Sequence, residues 1–248
     1  GLSEDRRPVF VGGVAILLAV LIAMPPGLPK GRKDTKFSEV FSKSPNVNWL
    51  SAARVFLFGA RDVWFVVGIP IYFYAVLTDG TTEGNRAAFF MIGTFMALWV
   101  ILYGFVQANA PRILRAGGRS ETDLIGAART WGLGLAAVPV MLTCAAVTAT
   151  EPQMWLTLTL VIGLLIFGAV FAVNSSLHSY LILSFTKAER VTMDVGFYYM
   201  ANAGGRLAGT LLSGLTYQAG GLALMLGTAA GMVAASAITV GFLKLENG

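Results

Sequence analysis

Apolar positions along the chain fall into seven long runs that are separated by shorter polar stretches. A helix needs roughly 20 mainly apolar residues to cross a bilayer, and each run is close to that length or longer. The runs, labelled a to g, cover residues 9–26, 51–77, 87–110, 130–149, 153–185, 195–217 and 219–243. The pattern predicts an all-α integral membrane protein with seven transmembrane helices, of which run e is long enough to project beyond the membrane.

The composition agrees with this class of protein. Hydrophobic residues make up 56% of the 248 and charged residues 12%, about half of the charged share that is usual in soluble domains. The single cysteine, Cys144, lies in run d, and we interpret it as a small buried hydrophobe. Residues 1–28 have charges before an apolar run, as a signal peptide does, but Pro25 and Pro26 stand where a cleavage site needs small residues. We therefore expect run a to be a true span of a chain whose first part is missing.

Basic residues are distributed unevenly among the loops between the runs. Lys and Arg are frequent in alternate loops, namely 27–50, 111–129 and 186–194. The loops at 78–86 and 150–152 and the turn at 219–220 contain just one basic residue, Arg86. Because cytoplasmic loops carry the excess of Lys and Arg, the pattern predicts a cytoplasmic C-terminus. We expect a multi-pass protein of the inner (plasma) membrane, and the net charge of +5 then gives no reason to expect nucleic-acid binding.

One predicted helix is separated from the other six by a long basic linker. We interpret residues 1–26 as the last helix of an N-terminal half, 27–50 as a cytoplasmic linker and 51–248 as a six-helix C-terminal half. Run a is then the sixth helix of a twelve-helix transporter. Seven helices also suit a retinal protein, but such a protein needs a Lys in the middle of its last helix. Lys244 stands at the end of run g, so this alternative is excluded.

Polar residues mark one face of four of these six helices. Run c has Tyr103 and Gln107 one turn apart, and run e has Asn174 and His178 at the same spacing. Run f carries a longer polar stripe at the helical period, formed by Tyr198, Asn202, Arg206, Gly209, Ser213 and Tyr217. Run b has charged residues, whereas runs d and g have little beyond small hydroxyls. The pattern fits the major facilitator superfamily, with four helices around a water-filled pathway, two at the periphery and a three-plus-three internal repeat.

Two arginines lie near the middle of predicted spans, where a charge is unfavourable. Arg61 is in run b and Arg206 in run f, and a central Arg costs about 2.5–3.5 kcal/mol on insertion scales. Either Arg206 pairs with Asp62 and only holds helices together, or the two guanidinium groups bind an anion with their forked donors. Asp62 follows Arg61 directly and is expected on another side of the helix. Arg54 is expected near the cytoplasmic end, where its long side chain reaches water.

The candidate site residues follow from these faces. The substrate-binding candidates are Arg61, Arg206, Asn202, Tyr198, Gln107, Tyr103, Asn174 and His178. Asp62 and His178 are also candidates for a coupling proton site or an ion pair, although a hydrogen-bonded structural histidine fits the same pattern. Run f has a second stripe of small residues that is expected to allow close helix packing, formed by Ala201, Gly205, Gly209 and Ser213.

The single histidine stands between serines in the stretch NSSLHSY, 174–180, which invites comparison with a hydrolase. The sequence lacks a G-x-S-x-G elbow, and Ser175 and Ser179 have no evident attack geometry, so no enzyme activity is expected. The glycine pattern GLGLAA at 132–137 lies in an apolar helix with no strand before it and does not indicate a dinucleotide site. No cofactor and no metal are predicted.

Several stretches of the sequence carry a resemblance to a known family. The loop PRILRAGGR resembles the loop between the eighth and ninth helices of major facilitator transporters, with marked positions at Pro111, Arg115, Gly118 and Arg119. The longer stretches are RDVWFVVGIPIY (61–72), LWVILYGFVQANAPRILR (98–115), and NSSLHSYLILSF with VGFYYMANAGGRLAGTLLSGLTYQ (174–185 and 195–218). Together they resemble the ArsJ-type organoarsenical efflux transporters of that superfamily.

The resemblance implies a specific transport function. ArsJ-type proteins are associated with a glyceraldehyde-3-phosphate dehydrogenase that uses arsenate in place of phosphate, and its product, 1-arseno-3-phosphoglycerate, is exported. The expected partners are therefore this anionic organoarsenical, that dehydrogenase and the lipid bilayer. The expected function is efflux by alternating access, which gives arsenate resistance. The alternatives are a major facilitator transporter of another organic anion, phosphorylated solute or drug, and a membrane scaffold or receptor that transports nothing.

Overall fold

The described residues of the computed structural model are 42–115, 118–149 and 153–244, together with Ala15, Leu18 and Ala19, which are helical. The chain divides into two units, Gly1–Phe37 and Ser38–Gly248, and the fold given below is that of the second. Apart from the three named positions, predicted run a lies outside the described residues, as does the predicted linker up to residue 41.

In the described part of the chain, five helices are long and apolar enough to cross a membrane. They are α1 (Pro45–Leu77), α2 (Thr82–Leu114), α3 (Glu121–Thr148), α4 (Met154–Phe185) and a fifth helical element, Val191–Val240. The described residues contain no β-strand. The prediction of an all-α membrane protein is confirmed, and runs b to e each correspond to one of these helices. The total of seven spans and the major facilitator arrangement remain predictions.

The fifth helical element turns back on itself at two glycines. As one helix of 50 residues it would be about 75 Å long, more than twice the bilayer's hydrocarbon thickness of about 30 Å. Gly220 and Gly221 leave the helical conformation, and Gly221 has a φ of 63°, which glycine adopts without strain. We therefore treat residues 191–219 as α5 and residues 222–240 as α6. The break lies beside the predicted turn between runs f and g.

Contacts with α1 show that α5 and α6 run in opposite directions. Two positions of α1, Gly59 and then Gly68, each have a neighbour on both helices. These neighbours are Gly209 and then Ser213 in α5, and Met232 and then Met225 in α6. From Gly59 to Gly68, the residue number of the neighbour increases in α5 and decreases in α6. α5 therefore lies parallel to α1, and α6 lies antiparallel to it. α1 packs most extensively on this pair of helices and only lightly on α4.

Three helices begin before the apolar runs that predicted them, because polar side chains cap their first turns. The capping residues are Ser44 for α1, Thr81 for α2 and Ser120 for α3. Hydropathy detects only the stretch suited to the bilayer core, whereas the cap fixes where the helix starts. α1 begins at Pro45, so the last part of the predicted linker, 45–50, is helical. Arg54 therefore lies well inside α1 and not at its end.

One wider turn interrupts the regular hydrogen bonding of α1. Residues Trp64–Gly68 form a π-type turn, and Pro70 follows without a backbone N–H. The N–H of Gly68 donates a hydrogen bond of 3.0 Å to the hydroxyl of Ser213 on α5. This bond fixes the second half of α1 to α5 at the point where the α1 ladder is weakest.

The buried apolar side chains form two clusters, one above the other along the helices. On α1, one cluster extends to Ala53 and the other begins at Leu57. On α4, the boundary falls between Phe171 and Val173. Arg54 therefore lies between the two clusters. The buried polar residues of α4 begin at Asn174, directly after the boundary between the clusters on that helix. Arg54 and these residues form a polar layer inside the helix bundle.

Burial within the described chain does not follow the predicted division into lining and peripheral helices. In its most apolar stretch α2 buries 6% of its residues, against 33% for α3, the helix of run d. α6, the helix of run g, has buried positions along most of its length. The share of polar residues in a helix therefore does not predict how deeply that helix packs among its described neighbours. Cys144 on α3 is exposed, which corrects its interpretation as a buried residue.

Candidate functional site

One buried carboxylate joins the two central arginines. The side chain of Asp62 is 1% exposed and accepts hydrogen bonds from two guanidinium groups. Arg61 Nε and Nη2 both lie 2.6 Å from Asp62 Oδ1. Arg206 Nε lies 3.0 Å from Asp62 Oδ2, which connects α1 with α5. The three side chains, named here the Asp62 triad, carry one net positive charge because two cations share one anion.

The triad corrects the expected position of Asp62. Neighbouring residues of a helix point in different directions, which predicted that Asp62 and Arg61 would face different sides. The Arg61 side chain is long enough to fold back along the helix, and its guanidinium group reaches the neighbouring carboxylate. Each arginine uses a different carboxylate oxygen, so Asp62 contacts both of them.

The two arginines of the triad differ in exposure. The Arg61 side chain is 12% exposed and the Arg206 side chain 56%. Arg206 and Asp62 line an open cleft of about 280 Å³, together with Thr210 and Ala203 of α5. Of the two arginines, Arg206 is therefore the one that lines this cleft.

Arg54 is buried, which corrects the expectation that its side chain reaches water. The residue is 4% exposed. Its Nη1 donates hydrogen bonds to the carbonyl of Ser175 at 3.1 Å and to the hydroxyl of the same residue at 3.0 Å. Its guanidinium carbon lies 3.9 Å from the ring centre of Phe58 and 4.8 Å from that of Tyr198. Within the described ranges no carboxylate forms an ion pair with it, so rings and oxygens stabilise this charge.

Phe58 connects Arg54 with the triad. The guanidinium carbon of Arg61 lies 5.0 Å from the same ring centre, and 5.6 Å from that of Phe171 on α4. The Phe58 and Phe171 rings meet edge to face at 5.1 Å. A cation on an aromatic face gains up to about 2 kcal/mol when it is shielded from water. Positions 54, 58 and 62 follow the helical repeat, so the sequence pattern alone places these three residues on one face of α1.

Several polar atoms around Arg54 have no hydrogen-bond partner of ordinary geometry among the described residues. They are Arg54 Nε, both ring nitrogens of His178 and the hydroxyl of Tyr198. An unpaired buried polar group costs about 1–3 kcal/mol. Neither imidazole nitrogen of His178 makes a hydrogen bond within the described ranges, and the alternative of a hydrogen-bonded structural histidine stays a prediction. The nearby hydroxyls donate to backbone carbonyls, Ser176 to Ala172 and Ser179 to Ser175.

The remaining predicted binding residues lie at different distances from this layer. The Asn174 amide nitrogen lies close to Gly132 of α3, so this side chain is at the contact between α3 and α4. Tyr103 stacks on Trp99 with ring centres 5.7 Å apart, and it also contacts Phe171. Half-buried Gln107 makes no hydrogen bond within the described ranges, and the Asn202 amide oxygen is buried without a partner there. The structure thus groups Tyr198 and His178 with Arg54 and places Asn174 elsewhere.

The predicted packing stripe lies at the closest approach of α5 to α1. A Cβ atom on Gly205 would lie 2.3 Å from the Val55 carbonyl oxygen, and one on Gly209 would lie 2.3 Å from that of Gly59. Ala201 is half-buried one turn earlier, and Ser213 accepts the bond from Gly68 one turn later. Backbone meets backbone along this seam, so α1 and α5 form one closely packed pair.

α2 ends at a residue in the left-handed conformation. Pro111 lies in the last helical turn, and Arg115 ends the helix with a φ of 47° and an N–H that donates to the Pro111 and Arg112 carbonyls. Gly118 has a φ of 95°, and Arg119 follows directly before the cap of α3. These positions therefore end one helix and lead into the next.

Five helices of this length and hydropathy make the protein a helical membrane protein, and its distinctive site is a layer of three arginines with one carboxylate. Within the described ranges, no three His, Cys, Asp or Glu side chains lie close enough together to hold a metal ion. Comparison with protein-family models, with curated proteins and with solved structures found no match to the chain.

Proposed function

We propose that the protein is a membrane efflux transporter of the major facilitator type. It exports an organic arsenical anion, 1-arseno-3-phosphoglycerate, by alternating access and so gives arsenate resistance. The observation that carries the proposal is the charge of the Asp62 triad, which is positive by one beside an open cleft. A positive charge inside the membrane is unfavourable, and an anion that binds it lowers that free energy. Arsenate and phosphate oxygens match the forked donors of a guanidinium group.

Arg206 is the group that takes up the solute in this mechanism. Its side chain is more than half exposed and makes one ion pair, whereas the Arg61 side chain is mostly buried and binds Asp62 with two nitrogens. The arriving anion replaces the Asp62 oxygen that Arg206 now contacts. Asp62 keeps Arg61 and remains a candidate for the coupling group. His178, with both ring nitrogens unpaired among the described residues, is the second candidate.

The test uses the full-length protein in arsenate-sensitive cells that also contain the arsenate-using dehydrogenase. Replacement of Arg206 by Ala is expected to abolish arsenate tolerance while the protein is still expressed and inserted. Arg129→Ala is the matched control, because it removes an exposed arginine that is remote from the triad in sequence. Normal tolerance in the Arg206→Ala strain would rule out the transport role of this residue.

A conservative replacement separates binding from simple helix pairing. Arg206→Gln leaves the Arg61–Asp62 pair intact, and the Gln amide can still donate a hydrogen bond to Asp62. If Arg206 only holds α5 to α1 through Asp62, this variant should keep both stability and arsenate tolerance. The proposal predicts that stability is largely kept and tolerance is lost, because the cationic group has been removed. Thermal unfolding of the purified protein and growth on arsenate give the two readouts.

A second candidate solute class is favoured by the chemistry of the site. Guanidinium groups bind phosphate and arsenate oxygens through the same contacts, so the triad suits other phosphorylated solutes or organic anions equally well. Transport in vesicles, with phosphorylated solutes as competitors, distinguishes the two. Export that depends on the dehydrogenase and on arsenate supports the arsenical, and export of phosphorylated solutes alone supports the broader assignment.

A further inference from the structure

A second cationic group lies apart from the Asp62 triad on the same helix. Arg54 and Arg61 are seven residues apart, which is about two turns or 10 Å along the axis of α1. Both guanidinium groups rest on the Phe58 ring, so they belong to one continuous layer. Arg61 and Arg206 by contrast bind the same carboxylate and form a single positively charged end.

The surroundings of Arg54 contain buried polar atoms that lack a hydrogen bond among the described residues. They are the Nε–H of Arg54 and both nitrogens of His178, while the hydroxyl of Tyr198 has the Ser179 hydroxyl beside it. Ser175 provides oxygen atoms to one nitrogen of Arg54. The described carboxylates that form ion pairs are Asp62, which binds two other arginines, and Asp194, which pairs with Arg190, so neither of them pairs with Arg54. An oxygen-rich anion can accept hydrogen bonds from the Nε–H of Arg54, from the Tyr198 hydroxyl and from the one N–H of a neutral imidazole.

We infer that Arg54, Ser175, His178 and Tyr198 form a second anion subsite that binds one charged end of a two-ended solute, while the triad binds the other. The inference rests on the proposed function and specifies its solute class. That class is a short chain with a phosphoryl, arsenyl or carboxylate group at each end. The distance between the two subsites sets the length of the solute, and a solute with one charged end uses only one of them.

The subsite is closed in this structure, and the packing indicates which helix moves to open it. Arg54 is 4% exposed and His178 is fully buried. α1 and α5 meet backbone to backbone at Gly205, so they move together. α4 contributes Ser175 and His178 and packs only lightly on α1. Movement of α4 away from the α1–α5 pair therefore uncovers Arg54 and the open donors together.

The experiment compares two probes on the full-length protein in detergent or proteoliposomes. 3-Phosphoglycerate has a phosphate at one end and a carboxylate at the other, whereas glycerol 3-phosphate has only the phosphate. The natural protein is expected to bind 3-phosphoglycerate more tightly. In Arg54→Gln its affinity should fall about tenfold or more, since one charged contact is lost, while that for glycerol 3-phosphate changes less than about threefold.

Two further variants keep the test decisive if Arg54→Gln does not fold. Arg54→Lys keeps the charge but loses the planar fork, and its preference for 3-phosphoglycerate should lie between those of Arg54→Gln and the natural protein. Ser175→Ala removes the hydroxyl beside Arg54 and should weaken binding of 3-phosphoglycerate alone. Arg129→Gln is the control and should match the natural protein. Size-exclusion profiles and thermal unfolding show which variants are folded.

The outcomes separate this inference from the proposed function. If the natural protein prefers 3-phosphoglycerate and folded Arg54→Gln or Arg54→Lys keeps that preference unchanged, the second subsite is refuted and the triad assignment stands. If the natural protein binds neither probe, both assignments fail. Equal loss of both probes in Ser175→Ala and Arg54→Lys means that Arg54 only supports the structure, which also overturns the inference.

Discussion

The two arginine sites of α1 stabilise a guanidinium group inside the membrane in different ways. In the Asp62 triad a carboxylate supplies the opposite charge for two arginines, and one of them, Arg206, lines an open cleft. At Arg54 the charge rests on two aromatic faces and on the oxygens of Ser175, with no described carboxylate bound to it. The triad therefore depends on an ion pair, whereas the Arg54 site depends on packing.

The two sites show that the position of a charged residue along a helix does not by itself determine its environment. Arg54 looked close to the membrane surface because the apolar run starts at residue 51. The helix starts at Pro45, and the first turns are covered by the end of α6, where Asn46 exchanges two hydrogen bonds with the Lys244 backbone. Arg54 therefore lies under a further layer of packed residues, and water does not reach it from that end.

Loss of the shared carboxylate should have the largest effect. Asp62→Ala leaves two arginines without their anion, and one of them, Arg61, is mostly buried. Removal of one partner of a buried ion pair typically costs 3–5 kcal/mol, so we expect a loss of about that size for this change. Thermal unfolding and the yield of folded protein measure it. Asp79→Ala removes an exposed carboxylate as the control, and equal stability of the two variants would show that the triad is not held by charge.

Close packing of α1 on α5 should give the next largest effect. Gly205→Ala places a Cβ against the backbone of Val55, and backbone atoms cannot give way as a flexible side chain does. Overpacking of this kind costs about 1–3 kcal/mol. Gly204→Ala is the matched control, because no described atom lies within 4 Å of its Cβ position. The control should be neutral or slightly stabilising, since Ala favours helices.

If both glycine variants unfold at the same temperature, the seam between α1 and α5 is not rigid. The idea that these helices move as one body would then lose its basis. The triad joins the same two helices through Arg206, so a weakened seam should also expose Asp62. Faster hydrogen exchange of α1 amides in Gly205→Ala than in Gly204→Ala would show that loosening directly.

Arg54→Met should change stability far less than Asp62→Ala does. No described carboxylate is left unpaired when this arginine is removed, and Met keeps much of the apolar stem against Phe58. Replacement of a buried charge by an apolar side chain of similar length is often neutral or stabilising, so we expect a change within about 1 kcal/mol. Thermal unfolding measures it, with Arg61→Met as the contrasting variant. A loss as large as that of Asp62→Ala would show that Arg54 has a structural charge partner.

The sequence predicted the helices well because their signal is local. Apolar runs of bilayer length correspond to α1 to α4, and the Gly-rich turn at 219–220 marks the place where the fifth element reverses. The glycines of run f stood out because small residues recur every four positions. Each of these features depends on neighbours along the chain, so one sequence is enough to find it.

The site could be predicted only in part because its contacts cross between helices. The sequence singled out Arg61, Arg206 and Asp62, but it could not show that one carboxylate joins both arginines. It gave no sign that Arg54 meets Ser175, which lies 121 residues further along the chain. Such contacts depend on the rotation and level of each helix, and an error of one residue in level moves a side chain by about 1.5 Å along the axis and by about 100° around it.

The smallest effect is expected at Asp79, the exposed counterpart of the buried Asp62. The Asp79 carboxylate accepts a hydrogen bond of 2.7 Å from the Thr81 hydroxyl and one of 2.9 Å from the Thr81 N–H. Both bonds lower the pKa of Asp79 below its usual value, because they favour the charged form, and the bond from the Thr81 hydroxyl has the larger effect. A depressed pKa in the folded state contributes stability above the unfolded pKa of about 3.9, and that contribution is lost as pH falls through the folded value.

The loop between α1 and α2 should therefore loosen only in acid, at a pH below the usual range for aspartate. Solution NMR of the Asp79 carboxyl and amide exchange of the Thr81 N–H both report the transition, and Asp79→Asn should remove it from the exchange profile. Thr81→Val should move the Asp79 pKa back toward its ordinary value, since it deletes the main hydrogen bond but keeps the side-chain volume. An unchanged pKa in Thr81→Val would assign the shift to the backbone and not to the hydroxyl.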